Sequence, residues 1–245
     1  MQAQDWTWTT DRLPVPARLV RWGHFGVPVL LFPTAGGDLE ELERFGLVGS
    51  LEPLIAAGRM KLYGLDGLSM RSWLRADANL AATLRWQSRY EEFLAAEVVP
   101  RIRADCLSET LEIVVAGCAL GALSALATLC RHPQLFRAAV GLSGTYDLAA
   151  LTRAPVAGEP PLPSPLRWLE SAADAPPAPL QRLRLRQVLL GSGEGEFETP
   201  LEAHRLARAL AALGVPHSLE LWGTGRDHDF STWRQMLPEY LGRLV

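Results

Sequence analysis

Residues 111–131 constrain the fold more than any other stretch. Leu111–Ala116 is an apolar run broken only by Glu112. It leads into the tight sequence Gly117-Cys118-Ala119-Leu120-Gly121, and an Ala- and Leu-rich segment then runs from Leu120 to Cys130 and stops at His132-Pro133. A near-continuous apolar run of this length predicts a strand buried on both faces, which an open sheet tolerates only when helices cover both sides. The following segment has the composition of a helix, and His-Pro is a natural end for it. The rest of the chain alternates in the same way. Strand-like runs lie at Ala17–Trp22, Val27–Phe32, Met60–Leu65, Ala138–Leu142, Gln187–Leu190 and Ser218–Trp222. Helical spacing is found over residues 84–104, Thr199–Leu213 and Ser231–Leu244. Strands alternating with helices predict an α/β fold, with a mostly parallel central sheet and helices on both faces.

Length alone leaves the organisation open, because 245 residues suit one large domain or two small ones. The elbow, acid and histidine described below are spread from residue 119 to residue 228 and must share one sheet, so they predict a single domain over 1–245. Ala154–Pro179 is rich in proline and reads as a short insertion near the ligand edge of the sheet, a lid or pocket wall, with a short helix at Leu166–Ala172. Lys and Arg total 24 against 27 Asp and Glu, a net charge of −3, which argues against nucleic-acid binding through a broad basic face. With 48% hydrophobic and 21% charged residues the chain is not of the disordered class. Cys106, Cys118 and Cys130 are too few and too isolated for a disulfide framework or a zinc site, so no metal is expected. Met1–Arg12 lacks the basic start and apolar run of a signal peptide, and no apolar run reaches the ~20 residues of a membrane span. A cytoplasmic protein without membrane contact is the expectation, and self-association into a homo-oligomer is left open.

The chemistry begins at the strand–turn–helix of residues 114–122. A sharp Gly-x-x-x-Gly turn between a buried strand and a helix holds its central residue at the tip, as in a nucleophile elbow of the form Gly-x-Ser-x-Gly. Here that residue is Ala119. Of the five histidines, His24, His132, His204, His217 and His228, only His228 follows the last strand in a polar glycine loop, Gly223 to Asp229. That position brings it to the C-terminal edge of the sheet, where a general base must stand. An acid to orient it is expected after the strand ending at Leu190, in Gly191-Ser192-Gly193-Glu194-Gly195-Glu196-Phe197-Glu198. Three glutamates compete there, with Glu196 favoured and Glu194 second. An oxyanion hole is expected from the loop Phe32-Pro33-Thr34-Ala35-Gly36-Gly37-Asp38 and from the N–H of Leu120.

These segments together resemble the esterase family of the α/β-hydrolase superfamily that includes esterase D-like proteins. The resemblance runs from about Val27 to Leu241. It is carried by Pro28–Gly37, Gly117–Gly121, Arg131–Phe136, Leu142–Asp147 and Gly225–Phe230 with Trp233. It implies an α/β-hydrolase fold, a nucleophile at position 119, His228 as base, an acid in the Glu194/Glu196 loop, and oxyanion donors at Ala35 and Leu120. It also implies a small-molecule acyl or ester substrate and no cofactor. Thr34, Gly36, Ser69, Trp73 and Cys118 are expected to line the substrate site, with residues near Ser143–Asp147 beside them. The family acid is typically Asp, and a glutamate supplies the same carboxylate.

Ala119 is the larger departure. A methyl group cannot attack a carbonyl, so the chain as written is expected to be inactive in covalent catalysis. The retained His228 and its glycine loop favour an engineered Ser→Ala change in a working serine hydrolase over a natural pseudoenzyme that only binds ligand. Acyl transfer or cyclisation on the same fold is a further expectation. Cys118 is not a substitute nucleophile, because its place in the elbow points away from the site.

Overall fold

A computed structural model describes residues 3–35, 37–66, 80–147, 164–174 and 178–245. In chain order the elements are β1 (Ala3–Trp8), β2 (Ala17–Trp22), β3 (Val27–Phe32), the short helices α1 (Glu41–Arg44), α2 (Leu47–Ser50) and α3 (Glu52–Ala56), and β4 (Met60–Leu65). Next come α4 (Leu80–Phe93), a π-turn at Leu94–Val98, α5 (Val99–Asp105), β5 (Ile113–Cys118), α6 (Leu120–Arg131) and β6 (Phe136–Leu142). The chain continues through α7 (Pro165–Asp174), α8 (Pro179–Leu183), β7 (Gln187–Ser192), α9 (Pro200–Ala212), β8 (His217–Leu221) and α10 (Phe230–Gly242).

All eight strands pair in one sheet of order β1-β2-β4-β3-β5-β6-β7-β8. The pairs β1–β2 and β2–β4 are antiparallel and every other pair is parallel. This is the α/β-hydrolase architecture expected from the sequence. The strand β1 was not expected. Its residues are mostly exposed, so no buried face marks it in the sequence. It is fixed instead by a full antiparallel register with β2, from Ala3↔Trp22 to Trp8↔Ala17.

The central strands show why their apolar runs are continuous. Leu30, Phe32, Ile113 and Val115 enter one hydrophobic cluster, and their sequence neighbours Val29, Leu31, Val114 and Ala116 enter the other. Side chains alternate along a strand, so a strand with cores on both faces needs apolar residues at every position. One cluster is closed by α4 to α9 through Tyr90, Phe93, Ile102, Leu126, Leu166, Leu180 and Leu206. The other is closed by α1 to α3 and α10, through Leu42, Leu47, Ile55, Trp233 and Leu237.

The helical stretch expected over 84–104 is not one regular helix. It passes through the π-turn just before Pro100, which has no N–H to continue the ladder. Of the proline-rich segment, residues 154–163 and 175–177 lie outside the described residues, as do 148–153 before it. The helix expected at Leu166–Ala172 lies within α7. The ends of the excursion are tied together, as Arg167 Nε donates to Asp147 Oδ1 at 2.8 Å and Ser164 Oγ donates to the Tyr146 carbonyl at 3.1 Å. No helix among the described residues is long and apolar enough to cross a membrane. The cysteines are free thiols. The loops that follow β3, β5, β6, β7 and β8 leave the same, C-terminal, edge of the parallel strands, which is where open α/β sheets bind ligands.

Candidate active site

The turn after β5 is as sharp as its glycines demand. A Cβ on Gly117 would lie 2.2 Å from the backbone of Gly121, and one on Gly121 would lie 2.6 Å from the Phe32 carbonyl. Strand, turn and the helix α6 therefore close on one another only because both side chains are missing. Between them Ala119 takes φ 52° and ψ −120°. An L-residue with this backbone carries roughly 1–3 kcal/mol of strain, which the surrounding structure must hold in place. Two hydrogen bonds do so: Ala119 N donates to the Leu142 carbonyl at 3.0 Å, and Ala122 N donates to the Ala119 carbonyl at 3.1 Å. The Ala119 methyl is at the surface limit of the core, 9% exposed.

His228 lies between β8 and α10, immediately before the capping residue of that helix. Asp229 Oδ1 accepts from Thr232 N at 2.8 Å, and this cap fixes where the histidine leaves the loop. The edge of the Trp233 ring packs against the imidazole, with centroids 5.0 Å apart and planes at 83°. The imidazole is one third exposed, which leaves it open to a ligand.

The carboxylate beside His228 is Glu198, with Oε2 3.6 Å from Nδ1. Glu196 and Glu194 are exposed, and neither side chain has a hydrogen-bond or ion-pair partner among the described residues. Glu196, with Glu194 second, was the expectation for this position; the carboxylate that the geometry brings nearest the imidazole is Glu198. The reason is the path of the loop. Glu194 N donates to the Gly223 carbonyl at 3.0 Å and Gly195 N to the Arg226 carbonyl at 2.9 Å, so the loop after β7 is laid backbone to backbone along the histidine loop. A Cβ on Gly193 would lie 2.0 Å from the Arg226 carbonyl oxygen. The first half of the loop is used in this contact, and only its last acidic residue turns inward.

Glu198 is 1% exposed at its side chain. Ser143 Oγ donates to it, and Ser192 Oγ lies at 3.4 Å. Burial by itself raises its carboxyl. The contacts with His228 and Ser143, together with the Gly193 N–H, outweigh that and hold it below the usual carboxylate range. An ionised acid facing Nδ1 leaves Nε2 as the free nitrogen of the ring, the arrangement a general base requires. A nitrogen–oxygen separation of 3.6 Å is longer than a hydrogen bond. Such contacts tighten when a ligand fills the site.

The oxyanion donors expected from the sequence are both unengaged. Among the described residues neither Ala35 N–H nor Leu120 N–H donates a hydrogen bond. Leu120 is the first residue of α6, where N–H groups have no intrahelical acceptor. Thr34, in the same loop, is tied to Glu41 through its N–H and its hydroxyl. Cys118, expected to line the substrate site, does not. Its side chain is fully packed in the core below the elbow. Burial pushes its thiol up, and the nearby carboxylates of Glu41 and Glu198 push it further the same way. Gly36, Ser69 and Trp73 lie outside the described residues.

Sequence reasoning singled out neither Glu198 nor Ser143, which donates to it. Glu198 lies in the loop from which an acid was expected, and its inward direction was hidden. Ser143 carries a positive φ of 47° and is buried, signals that no residue type announces.

A family model described as "Putative esterase" matches residues 67–244. No curated protein sequence matches the chain. Among solved structures, a ferulic acid esterase superposes with a TM-score of 0.73 at 18% identity, covering 98% of this chain and 96% of that one. An S-formylglutathione hydrolase from Agrobacterium tumefaciens gives 0.70 at 10% identity, covering 98% and 93%. FphF of Staphylococcus aureus, a fluorophosphonate-binding serine hydrolase, gives 0.68 at 14% identity, covering 98% and 97%. At these identities the structural likeness establishes the fold.

Proposed function

The chain belongs to this family of esterase-type hydrolases, and from that premise we propose that its site is built for a Ser–His–Glu reaction on carboxylic esters and lacks only the hydroxyl at position 119. With alanine there, the site binds an ester without forming an acyl-enzyme. With serine there, His228 takes the hydroxyl proton as Oγ attacks the ester carbonyl. The N–H groups of Leu120 and Ala35 hold the developing oxyanion. The imidazolium then protonates the leaving alcohol, and a water activated by His228 releases the acid. Glu198 fixes the ring and stabilises the imidazolium, and Ser143 holds Glu198.

The observation that carries this reading is the backbone of Ala119. A φ of 52° with ψ −120° is costly for any residue but glycine. A protein that needed only a small side chain here has no reason to keep it. The same backbone raises a serine Oγ to the tip of the turn.

The test is Ala119→Ser, assayed on a small aryl ester and treated with a fluorophosphonate probe. The expected result is a gain in kcat on the order of 10³–10⁶, with labelling at position 119. The Ala119 chain is expected to stay unlabelled. A folded Ser variant that is both inert and unlabelled overturns the reading. A second reading rests on Ala119 itself: a binding protein that uses the same pocket without turnover. It is favoured if the Ala119 chain binds esters tightly and the Ser variant binds but does not cleave them.

A further inference from the structure

Glu41, at the start of α1, is a carboxylate that this reaction does not use. It is 5% exposed, and a charge taken that far from water needs compensation. Among the described residues no Lys, Arg or His lies within ion-pair distance of it. Its compensation comes from Thr34, whose N–H donates to Oε1 at 2.8 Å and whose Oγ1 donates to Oε2 at 2.9 Å. The backbone of Glu41 is fixed in turn, its N–H donating to Asp38 Oδ1 at 2.9 Å. Gly37 wraps over the carboxylate so closely that a Cβ there would lie 2.2 Å from Oε2. The loop after β3 is folded around this side chain.

The consequence falls on the next peptide. The Thr34 carbonyl accepts from Gly37 N at 3.2 Å. A trans peptide sets C=O and N–H on opposite sides, so the Ala35 N–H is directed away from that turn. With its N–H, hydroxyl and carbonyl all engaged, Thr34 cannot rotate, and neither can the peptide that carries the Ala35 donor. The start of the same loop lies against α6, through the close approach of Phe32 to Gly121.

We propose that Glu41 is a positioning residue: through Thr34 it fixes the Ala35 N–H as an oxyanion donor opposite that of Leu120. The inference rests on the ester reading of the site. The charge of Glu41 is not what is used, since a negative charge near an oxyanion opposes it. What is used is a pair of hydrogen-bonding atoms at a fixed place, one to accept from the Thr34 N–H and one to bond its hydroxyl, which can itself donate or accept.

The test compares Glu41→Ala and Glu41→Gln in the full chain carrying Ala119→Ser. Losing one oxyanion donor outright costs ~10²–10³ in kcat. A donor left in place but misdirected is expected to cost roughly 10–100-fold, with KM little changed. Glu41→Gln keeps an oxygen for the Thr34 N–H and an amide for its hydroxyl, so it is expected to restore most of kcat. A folded Glu41→Ala with unchanged kcat, an effect confined to KM, or a Gln variant as poor as the Ala variant overturns the proposal. If Glu41→Ala does not fold, Thr34→Val removes the hydroxyl bond alone and is expected to lower kcat in the same sense. A second readout does not depend on turnover. In the Ala119 chain, Glu41→Ala is expected to move the Ala35 amide signal in a ¹⁵N–¹H spectrum, and Glu41→Gln to leave it near its place. An Ala35 amide unmoved by Glu41→Ala sinks the inference even if Ala119→Ser is active. If Ala119→Ser is inert while the amide responds as expected, the ester reading fails and the role of Glu41 in shaping the loop stands.

Discussion

Glu198 and Glu41 are both buried carboxylates, reached from strands on opposite sides of β5, and both act on the thiol of Cys118 beneath the elbow. They are held in different ways. Glu198 faces a titratable ring, with Ser143 and Ser192 filling its remaining acceptor positions. Among the described residues the side chain of Glu41 is hydrogen-bonded to the N–H and hydroxyl of Thr34. A buried carboxylate is tolerable in either setting, because each supplies donors. The settings differ in what the charge is for. In the proposed reaction the negative charge beside His228 stabilises the imidazolium that forms. In the proposed role of Glu41 the carboxylate beside Thr34 supplies two hydrogen-bonding atoms that shape a loop. The glycines repeat the contrast. Gly193 approaches the backbone of the histidine loop, whereas Gly37 approaches the end of a side chain.

The largest expected effect separates the two carboxylates by charge. In the Ala119→Ser protein, Glu198→Gln is expected to lower kcat by about 10⁴, the scale seen when a triad acid becomes an amide. Glu196→Ala, at an exposed side chain with no partner among the described residues, is expected to leave kcat unchanged. Steady-state kinetics on the two variants decides the assignment, and a costly Glu196→Ala with a silent Glu198→Gln reverses it. Against this, Glu41→Gln is expected to be nearly silent, so one substitution chemistry gives opposite results at the two sites.

The next effect is on stability. Gly193→Ala places a Cβ 2.0 Å from the Arg226 carbonyl oxygen, which cannot move without parting the acid and histidine loops. A loss of about 1–3 kcal/mol in denaturant unfolding is expected. Gly37→Ala is expected to cost less, because the obstacle is a carboxylate that can swing aside. Equal losses would erase the distinction between the two loops.

The smallest effect is in the pH dependence of stability. Glu198 has a folded-state carboxyl below its ordinary value. Its contribution is therefore fully present above the ordinary carboxylate range, and it is lost as pH falls through the depressed folded value. Urea unfolding followed from neutral to acid pH is expected to show a shallower decline in Glu198→Gln than in the parent chain. An identical decline would show that Glu198 is not the group being protonated.

Much of the fold was legible because its signals are local. The runs at Ala17–Trp22, Val27–Phe32 and Met60–Leu65 coincide with β2, β3 and β4; β3 is apolar throughout, while β2 and β4 are mostly apolar and carry their cations, Arg18, Arg21 and Lys61, in ion pairs. The elbow was legible because two glycines four apart mark a turn that no other residue allows. A helix was expected to open after the loop ending at Asp38, where α1 lies, while α2 and α3 escaped notice, as single turns have no periodicity to read. In the candidate site, position 119, His228, Ala35 and Leu120 were proposed from their places after particular strands. The acid was expected at Glu196 or Glu194, and the carboxylate nearest His228 belongs to Glu198 of the same loop. Glu194, Glu196 and Glu198 have the same chemistry and nearly the same context. Their difference arises from hydrogen bonds to residues 223 and 226, about thirty positions away.

The sequence by itself determined the alternation of strand and helix, the strained turn at residues 117–121, and the chain order of elbow, acid loop and histidine. Each of these depends on the backbone preferences or burial of neighbouring residues, which a sequence displays directly. Only the tertiary structure decided that Glu198 meets His228, that Cys118 turns into the core, and that Glu41 carries the loop of Thr34. Those are contacts between side chains brought together by the sheet, and whether a carboxylate ends in water, against an imidazole or under a backbone N–H depends on distances that arise only once the strands are paired.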